Sequence, residues 1–345
     1  MYHYYYINGV TVFFDRPSLH ATGIEALTTV NYKKTTAVIF EKPGALELRE
    51  ASLRAPTANE CLIESHWSGI STGTERLMLT GQMPPFPGLG YPLVPGYETT
   101  GRVIQAPKGS SISEGMRVFV PGGVGFTDAK NLFGGSARHV VCPENRLVPI
   151  NDGLAQDGVL LALAATARHA LRRSESVGPP ELIVGHGVLG QLLARLTESL
   201  YGQSPVVWET NPQRRVSKGN YRVCDMESDA RHDYGVVCDV SGSADALNQM
   251  ISRCRPGATV VMAGFYSSAV TFDFPPAFMR EINLLISAEW QPQDLQETAE
   301  LASNGRLDLT DLITDVLPAN QAESAYDRAF NDNSCLKMVI DWRSI

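Results

Sequence analysis

Hydrophobic and polar positions change their rhythm near residue 151. Before it, short runs predominate. Ala37-Val-Ile-Phe40 predicts a strand, and the alternating Leu46-Glu-Leu-Arg49 predicts its hairpin partner. Residues 61–67, 101–104 and 115–120 predict further short strands, and 68–96, crowded with Gly and Pro, predicts turns. Many short strands joined this way predict a small all-β barrel or sandwich. After residue 151, strands and helices alternate. A helix is predicted over 158–171, a strand over 181–184, a helix over 189–200 and a strand over 206–208. Strands over 236–240 and 259–263 follow, with a helix over 244–253 between them. That alternation predicts an α/β fold with a doubly wound parallel sheet. From about Gln291 the pattern is mixed and ends in the apolar Leu336-Lys-Met-Val-Ile340. Residues 1–34, with Tyr-His-Tyr-Tyr-Tyr near the start, have no clear period. They read as a poorly ordered extension or a start assigned too far upstream.

Length agrees with the change of rhythm: 345 residues exceed one ordinary core and predict two domains. Acids outnumber bases 37 to 29, a formal charge of -8, which argues against a nucleic-acid partner. The six cysteines are scattered with no CxxC pair, as expected for reduced thiols in the cytoplasm. The longest apolar run, 159–167, is too short to span a bilayer, and no secretory signal is visible.

The sharpest motif is Gly185-His-Gly187-Val-Leu-Gly190, directly after a predicted strand and opening a predicted helix. Its glycines serve a tight turn, close backbone approach to a diphosphate, and helix–strand packing. The helix start at Val188 and Leu189 would offer N–H groups to the phosphates. The next strand ends at Glu209, 19 residues past Gly190. An acid there accepts from ribose hydroxyls and repels a 2′-phosphate, which favours NAD. Arg214 and Arg215 stand nearby and could pair with that phosphate instead.

A β domain, a Rossmann unit and a return segment resemble the medium-chain dehydrogenase/reductase superfamily. The matching residues are Ser68-Gly-Ile-Ser-Thr-Gly-Thr-Glu75, Pro95-Gly-Tyr-Glu98, Gly101-Arg-Val103, Gly115-Met-Arg-Val118 and the Gly185–Gly190 turn. The resemblance implies a GroES-like catalytic domain over 35–150, completed by 290–345, and a Rossmann NAD-binding domain over 151–289. Zinc-dependent members carry ligands where this chain has Thr72, Tyr97 and Ala162. None of these side chains is an ordinary zinc ligand. The four-cysteine lobe of the structural zinc is also absent. The resemblance therefore implies a member without metal.

Longer motifs narrow the resemblance. Met83-Pro-Pro-Phe-Pro-Gly88, Leu132-Phe-Gly-Gly135, Trp208-Glu-Thr-Asn-Pro212, Ala263-Gly-Phe-Tyr-Ser267, Ala288-Glu-Trp-Gln-Pro292 and Cys335-Leu-Lys-Met338 are similar to the bacteriochlorophyllide a dehydrogenase family. The likeness runs from about Thr35 to Trp342. It implies NAD-dependent oxidation of the 3-(1-hydroxyethyl) group of a chlorin-type substrate to 3-acetyl, and is compatible with a homo-oligomer. Rival readings are a zinc-free NADPH-dependent quinone or enoyl reductase, against which Glu209 counts, and a non-catalytic dinucleotide-binding sensor.

By that resemblance Thr74 holds the hydroxyl that relays the alcohol proton, and Thr166 contacts the nicotinamide. Tyr97 is either a cleft-wall phenol or a partner of the substrate hydroxyl. Glu98 is a buried hydrogen-bonded carboxylate or a proton carrier, and Glu75 a weaker version of it. His66 and His169 read as structural, with magnesium ligation or base chemistry as the alternative. His186 contributes mainly backbone. Trp67, Met83, Phe86, Phe133, Phe274 and Trp290 are expected in the core, some of them flanking a flat ring.

Overall fold

The computed structural model describes residues 32–266 and 268–345, with short backbone strands at Tyr6–Ile7 and Val10–Thr11. The expectation for 1–34 otherwise lies outside the described residues.

The hairpin forms as the pattern requires: Tyr32–Lys42 pairs antiparallel with Ala45–Arg54. Ala37, Val38, Ile39 and Phe40 are all fully buried. They form a continuous apolar run because the strand is covered on both faces. Ala37 and Ile39 enter one apolar cluster, and Val38 and Phe40 another. The larger sheet runs Val148–Pro149, Arg117–Val120, Thr99–Gln105, Glu60–Gly69, Met338–Asp341, Asp315–Pro318, with His139–Pro143 also pairing Glu60–Gly69. Two of its strands thus come from the far end of the chain, docked with Val339 opposite Gly69.

The second sheet is parallel throughout, in the order Arg222–Cys224, Val206–Trp208, Leu182–Val184, Tyr234–Asp239, Cys254–Met262, Asn283–Ile286. Strand order reverses beside Leu182–Val184, so the ligand crevice opens at its carboxyl end. Arg222–Cys224 and Asn283–Ile286 were not anticipated. Both are short edge strands, and the second is largely exposed, so neither shows a buried-strand pattern.

Several local expectations need correction. The helix expected over 158–171 is an α-helix over Leu161–Ser174, after a 3-10 stretch over Asp152–Leu160. Gly158 lies against the first unit, where an added Cβ would come within 2.8 Å of the Ile150 and Thr100 side chains. That stretch is a junction, not a free helix turn. A helix over Thr74–Thr80 interrupts the turn-rich segment. At 7 residues it is too short for helical periodicity to show. Phe274, expected in the core, is 65% exposed, because its helix Phe274–Met279 buries only Ala277.

The return segment packs first against the second unit. Helix Pro292–Ser303 places Asp294 at 2.8 Å from His169 Nδ1 and 2.7 Å from Arg172 Nε, both on helix Leu161–Ser174. His169 is therefore a clamp between helices. Among the described residues, no helix is long and apolar enough to cross a membrane.

Candidate active site

The fingerprint turn is built by backbone sterics. Gly185 sits at φ 103°, leaving strand Leu182–Val184. A methyl built on Gly190 would overlap the Gly185 carbonyl oxygen, so the helix can pack on the turn only with glycine there. Gly187 differs: its φ of -72° suits any residue, and a Cβ would meet nothing within 4 Å. Nothing in the protein demands glycine at 187. What it leaves is an open cradle at the start of helix Val188–Tyr201, which has no side-chain cap on its first N–H groups. These features fit a dinucleotide diphosphate.

Glu209 closes the cradle. Its carboxylate accepts from the backbone N–H of His186 at 2.9 Å and of Asn211 at 2.7 Å. The Thr210 hydroxyl also donates to Oε1 at 3.4 Å, which leaves Oε2 the freer oxygen for a ribose hydroxyl. Both nearby arginines are committed elsewhere. Arg215 donates to the Glu209 and Thr210 carbonyls and to Asp225, while Arg214 donates to the Asn333 carbonyl at 3.0 Å. His186 is fully buried, its Nδ1 on the Arg214 carbonyl and its Nε2 at 3.0 Å from the Tyr221 hydroxyl. Burial holds its pKa below the ordinary histidine value. The ring is a neutral peg fixing the following loop. Thr166 is half-buried on helix Leu161–Ser174, its hydroxyl donating to the Ala162 carbonyl at 3.0 Å.

On the other wall, the residues standing in the three ligand places have unlike surroundings. Thr72 is exposed, Tyr97 is nearly buried, and Ala162 is sealed in an apolar cluster that also contains Tyr97. The Tyr97 hydroxyl lies 2.6 Å from Ser71 Oγ, and the half-buried Thr74 hydroxyl also acts on it. Burial, followed by the Glu98 charge, pushes this phenol well above the ordinary tyrosine value. It therefore stays a neutral hydroxyl. Backbone bonds from Gly135 to Gly96 at 2.8 Å and from Ser136 to Pro95 at 2.9 Å hold the two loops together. They bring Phe133 to 5.1 Å from the Tyr97 ring, edge-on, with Trp290 at 6.1 Å and Phe86 at 6.5 Å from Phe133. Phe86 and Phe133 are half-buried, and Trp290 and Met83 are buried.

Glu98, next to Tyr97, is fully buried and paired with Lys337. Lys337 Nζ also donates to the Ile70 carbonyl at 3.0 Å, and Glu98 Oε1 has no partner. A Cβ on Gly69 would strike Glu98 Oε2, so glycine makes room for the pair. His66 lies on strand Glu60–Gly69, edge-on to Trp67 at 5.5 Å, its pKa lowered by burial. Tyr97 is thus in contact with Thr74, Phe133 and Trp290, Phe133 with Phe86, and Glu98 is sealed against Lys337. Sequence reasoning missed Ser71, Lys337 and Tyr326. Only Lys337 left a signal: a lone charge within an apolar run must find a buried partner.

Comparisons with known proteins follow the same division. The alcohol dehydrogenase GroES-like domain model matches residues 57–152. L-idonate 5-dehydrogenase from Escherichia coli shares the fold, with a TM-score of 0.79, 17% identity, and cover of 91% of this chain and 100% of that one. Among structures of the same fold, one from Sinorhizobium meliloti holds NADP and one from Escherichia coli holds NADH. Two curated relatives are much closer in sequence. The 2-desacetyl-2-hydroxyethyl bacteriochlorophyllide A dehydrogenase of Cereibacter sphaeroides is 49% identical over 316 residues, 90% of this chain and 99% of that protein. Its namesake in Rhodobacter capsulatus is 47% identical over 311 residues, with the same cover. At that identity, over nearly the whole length of both, the chain belongs to the bacteriochlorophyllide a dehydrogenase family of the medium-chain dehydrogenase/reductase superfamily.

Proposed function

We propose that this chain oxidises the 3-(1-hydroxyethyl) side chain of bacteriochlorophyllide a to 3-acetyl, with NAD as acceptor and without zinc. The observation that carries the reading is the near full-length likeness to two proteins named for that substrate. The site agrees with it. Phe86, Phe133, Tyr97 and Trp290 offer ring faces and edges suited to a flat conjugated substrate. Glu209 favours ribose hydroxyls over a 2′-phosphate, and Arg215 is already held by the Glu209 and Thr210 carbonyls and by Asp225.

The Gly185–Gly190 turn and Glu209 would hold NAD, which would supply the hydride acceptor for the carbinol carbon. The chain's own residues position the alcohol and manage its proton. Thr74 meets the alcohol oxygen as a hydroxyl donor, stabilising negative charge as it develops, while the Tyr97 oxygen accepts the alcohol O–H and its own proton points to Ser71. Tyr97 cannot act as a free base, because its phenol is held neutral. The Glu98–Lys337 pair fixes the backbone on which Tyr97 rides.

Purified protein with NAD and the hydroxyethyl chlorin should yield the acetyl pigment. The new carbonyl conjugates with the ring, so long-wavelength absorption should move to the red. NADP should support the reaction poorly, and Glu209→Ala should narrow the gap in kcat/KM. Metal analysis should find no stoichiometric zinc. NADP preference, or loss of activity on chelation that zinc restores, would remove those parts of the reading. No acetyl product would remove the substrate.

A further inference from the structure

Oxidation of an alcohol releases a proton as well as a hydride, and behind Tyr97 the structure holds a buried carboxyl that could receive it. Ser71 makes the connection. Its hydroxyl meets the Tyr97 hydroxyl at 2.6 Å, and its backbone N–H donates to Glu75 Oε1 at 3.2 Å. The other oxygen of Glu75 accepts from the Tyr326 hydroxyl at 2.5 Å. Ser71, Glu75 and Tyr326 are 7%, 0% and 2% exposed, so bulk water does not compete for these bonds. Tyr326 lines a surface groove with Arg76, Asp327 and Asn331, giving the cluster an outer side.

Two buried carboxylates share this space, and they are not equivalent. Glu98 has Lys337 as its cation. Glu75 has no cation bonded to it among the described residues, only hydrogen-bond donors. A buried carboxyl without a paired cation holds a proton readily. Burial first pushes Glu75 up to about 8, with the Glu98 charge adding to the rise and Tyr326, the Ser71 N–H and Lys337 opposing it. Those groups and Tyr97 are the ones that face it. Its titration therefore falls near the working range of a dehydrogenase, where a general base is most effective.

We propose that Glu75 is the terminal acceptor of the reaction's hydroxyl proton, reached from the cleft through Tyr97 and Ser71 and held by Tyr326; this rests on the reading of Tyr97 as the partner of the substrate hydroxyl. As the C–H bond breaks toward the nicotinamide, the alcohol O–H bond breaks toward Tyr97. With its side chain turned so that its O–H points to Glu75, Ser71 gives that proton to the carboxylate as Tyr97 passes its own proton to Ser71 Oγ, so neither hydroxyl is left charged. The sum is alcohol, NAD cation and carboxylate giving ketone, NADH and carboxylic acid. Only ionised Glu75 can accept, so oxidation should quicken as pH rises through its titration. Glu75 touches neither substrate nor cofactor; it is a positioning and proton-holding residue.

The test combines single-turnover oxidation across pH with infrared titration of the protein without substrate. Wild type should show a rate rising through one ionisation near pH 8, and a protonated-carboxyl band that disappears over the same interval. Glu75→Gln should bind NAD normally, lack that band, lose the rising limb and fall at least tenfold at high pH. Tyr326→Phe removes a bond that favours the carboxylate, so both limb and band should move to higher pH. An unchanged limb in Glu75→Gln overturns the inference while leaving the oxidation intact. So does a Glu75 band that titrates in the ordinary carboxylate range. A wild type that makes no acetyl pigment but shows the band overturns the substrate reading and the relay together.

Discussion

The two walls of the cleft are built on opposite plans. The dinucleotide wall is one continuous stretch, strand Leu182–Val184, the Gly185–Gly190 turn and helix Val188–Tyr201, joined only by Glu209 from the next strand. The substrate wall draws Ser71 and Thr74 from one turn, Tyr97 from another, and Phe133, Trp290 and Lys337 from three more segments. Backbone shape decides the first wall, and it is set by residues within a few positions of each other. Burial decides the second: charges and hydroxyls far apart in the chain satisfy one another out of water. A turn of the first kind recurs wherever its glycines recur, whereas a cluster of the second kind exists only in the finished fold.

The sharpest way to break this contrast is at the buried pair. Lys337→Met strands Glu98 without its cation and should cost about 3–5 kcal/mol in denaturant unfolding. Adding Glu98→Gln should recover much of that loss. A small cost for the single variant would mean that the pair is hydrated and that the second wall does not depend on burial.

The glycine turn should show smaller and separable effects. Gly190→Ala forces a methyl onto the Gly185 carbonyl and should cost about 1–3 kcal/mol, with cofactor binding lost as the turn shifts. Gly187→Ala meets no protein atom within 4 Å. Its melting temperature should stay at the wild-type value while the Kd for NAD rises about tenfold, some 1.4 kcal/mol. If Gly187→Ala instead destabilises the protein and spares binding, the cradle is not where the diphosphate lies.

A further expected effect is a pH dependence of stability. Glu75 keeps its proton in the folded state up to about 8, whereas an unfolded Glu loses it near the ordinary value of 4.5. Between those values the unfolded chain binds fewer protons, so stability should fall as pH rises and level off above the folded titration. Glu75→Gln should flatten that slope in melting temperature measured from pH 5 to 9. An identical slope in the variant would mean that Glu75 is ionised throughout that range.

The division between legible and hidden follows from the range of the forces involved. Alternation, apolar runs and the glycine spacing are properties of neighbours in the chain. They determined the order of strands and helices, the dinucleotide turn and the acid at Glu209, because a steric limit at Gly190 or a strand end at Glu209 acts over a few bonds. Motif likeness also marked Tyr97, Thr74 and Glu98 as residues of the site. It placed Tyr97 at the cleft but left open whether Glu98 is a buried partner or a proton carrier. Tyr97 and Glu98 are adjacent, yet one meets Ser71 beside the aromatic wall and the other is sealed against Lys337, 239 residues away in sequence. Only the tertiary structure decided that Phe274 stays at the surface, that Arg214 and Arg215 are already bonded, and that Glu75 shares its pocket with a second carboxylate. Each of these depends on how much water a side chain loses on folding and on what replaces it, and that is known only once distant segments have met.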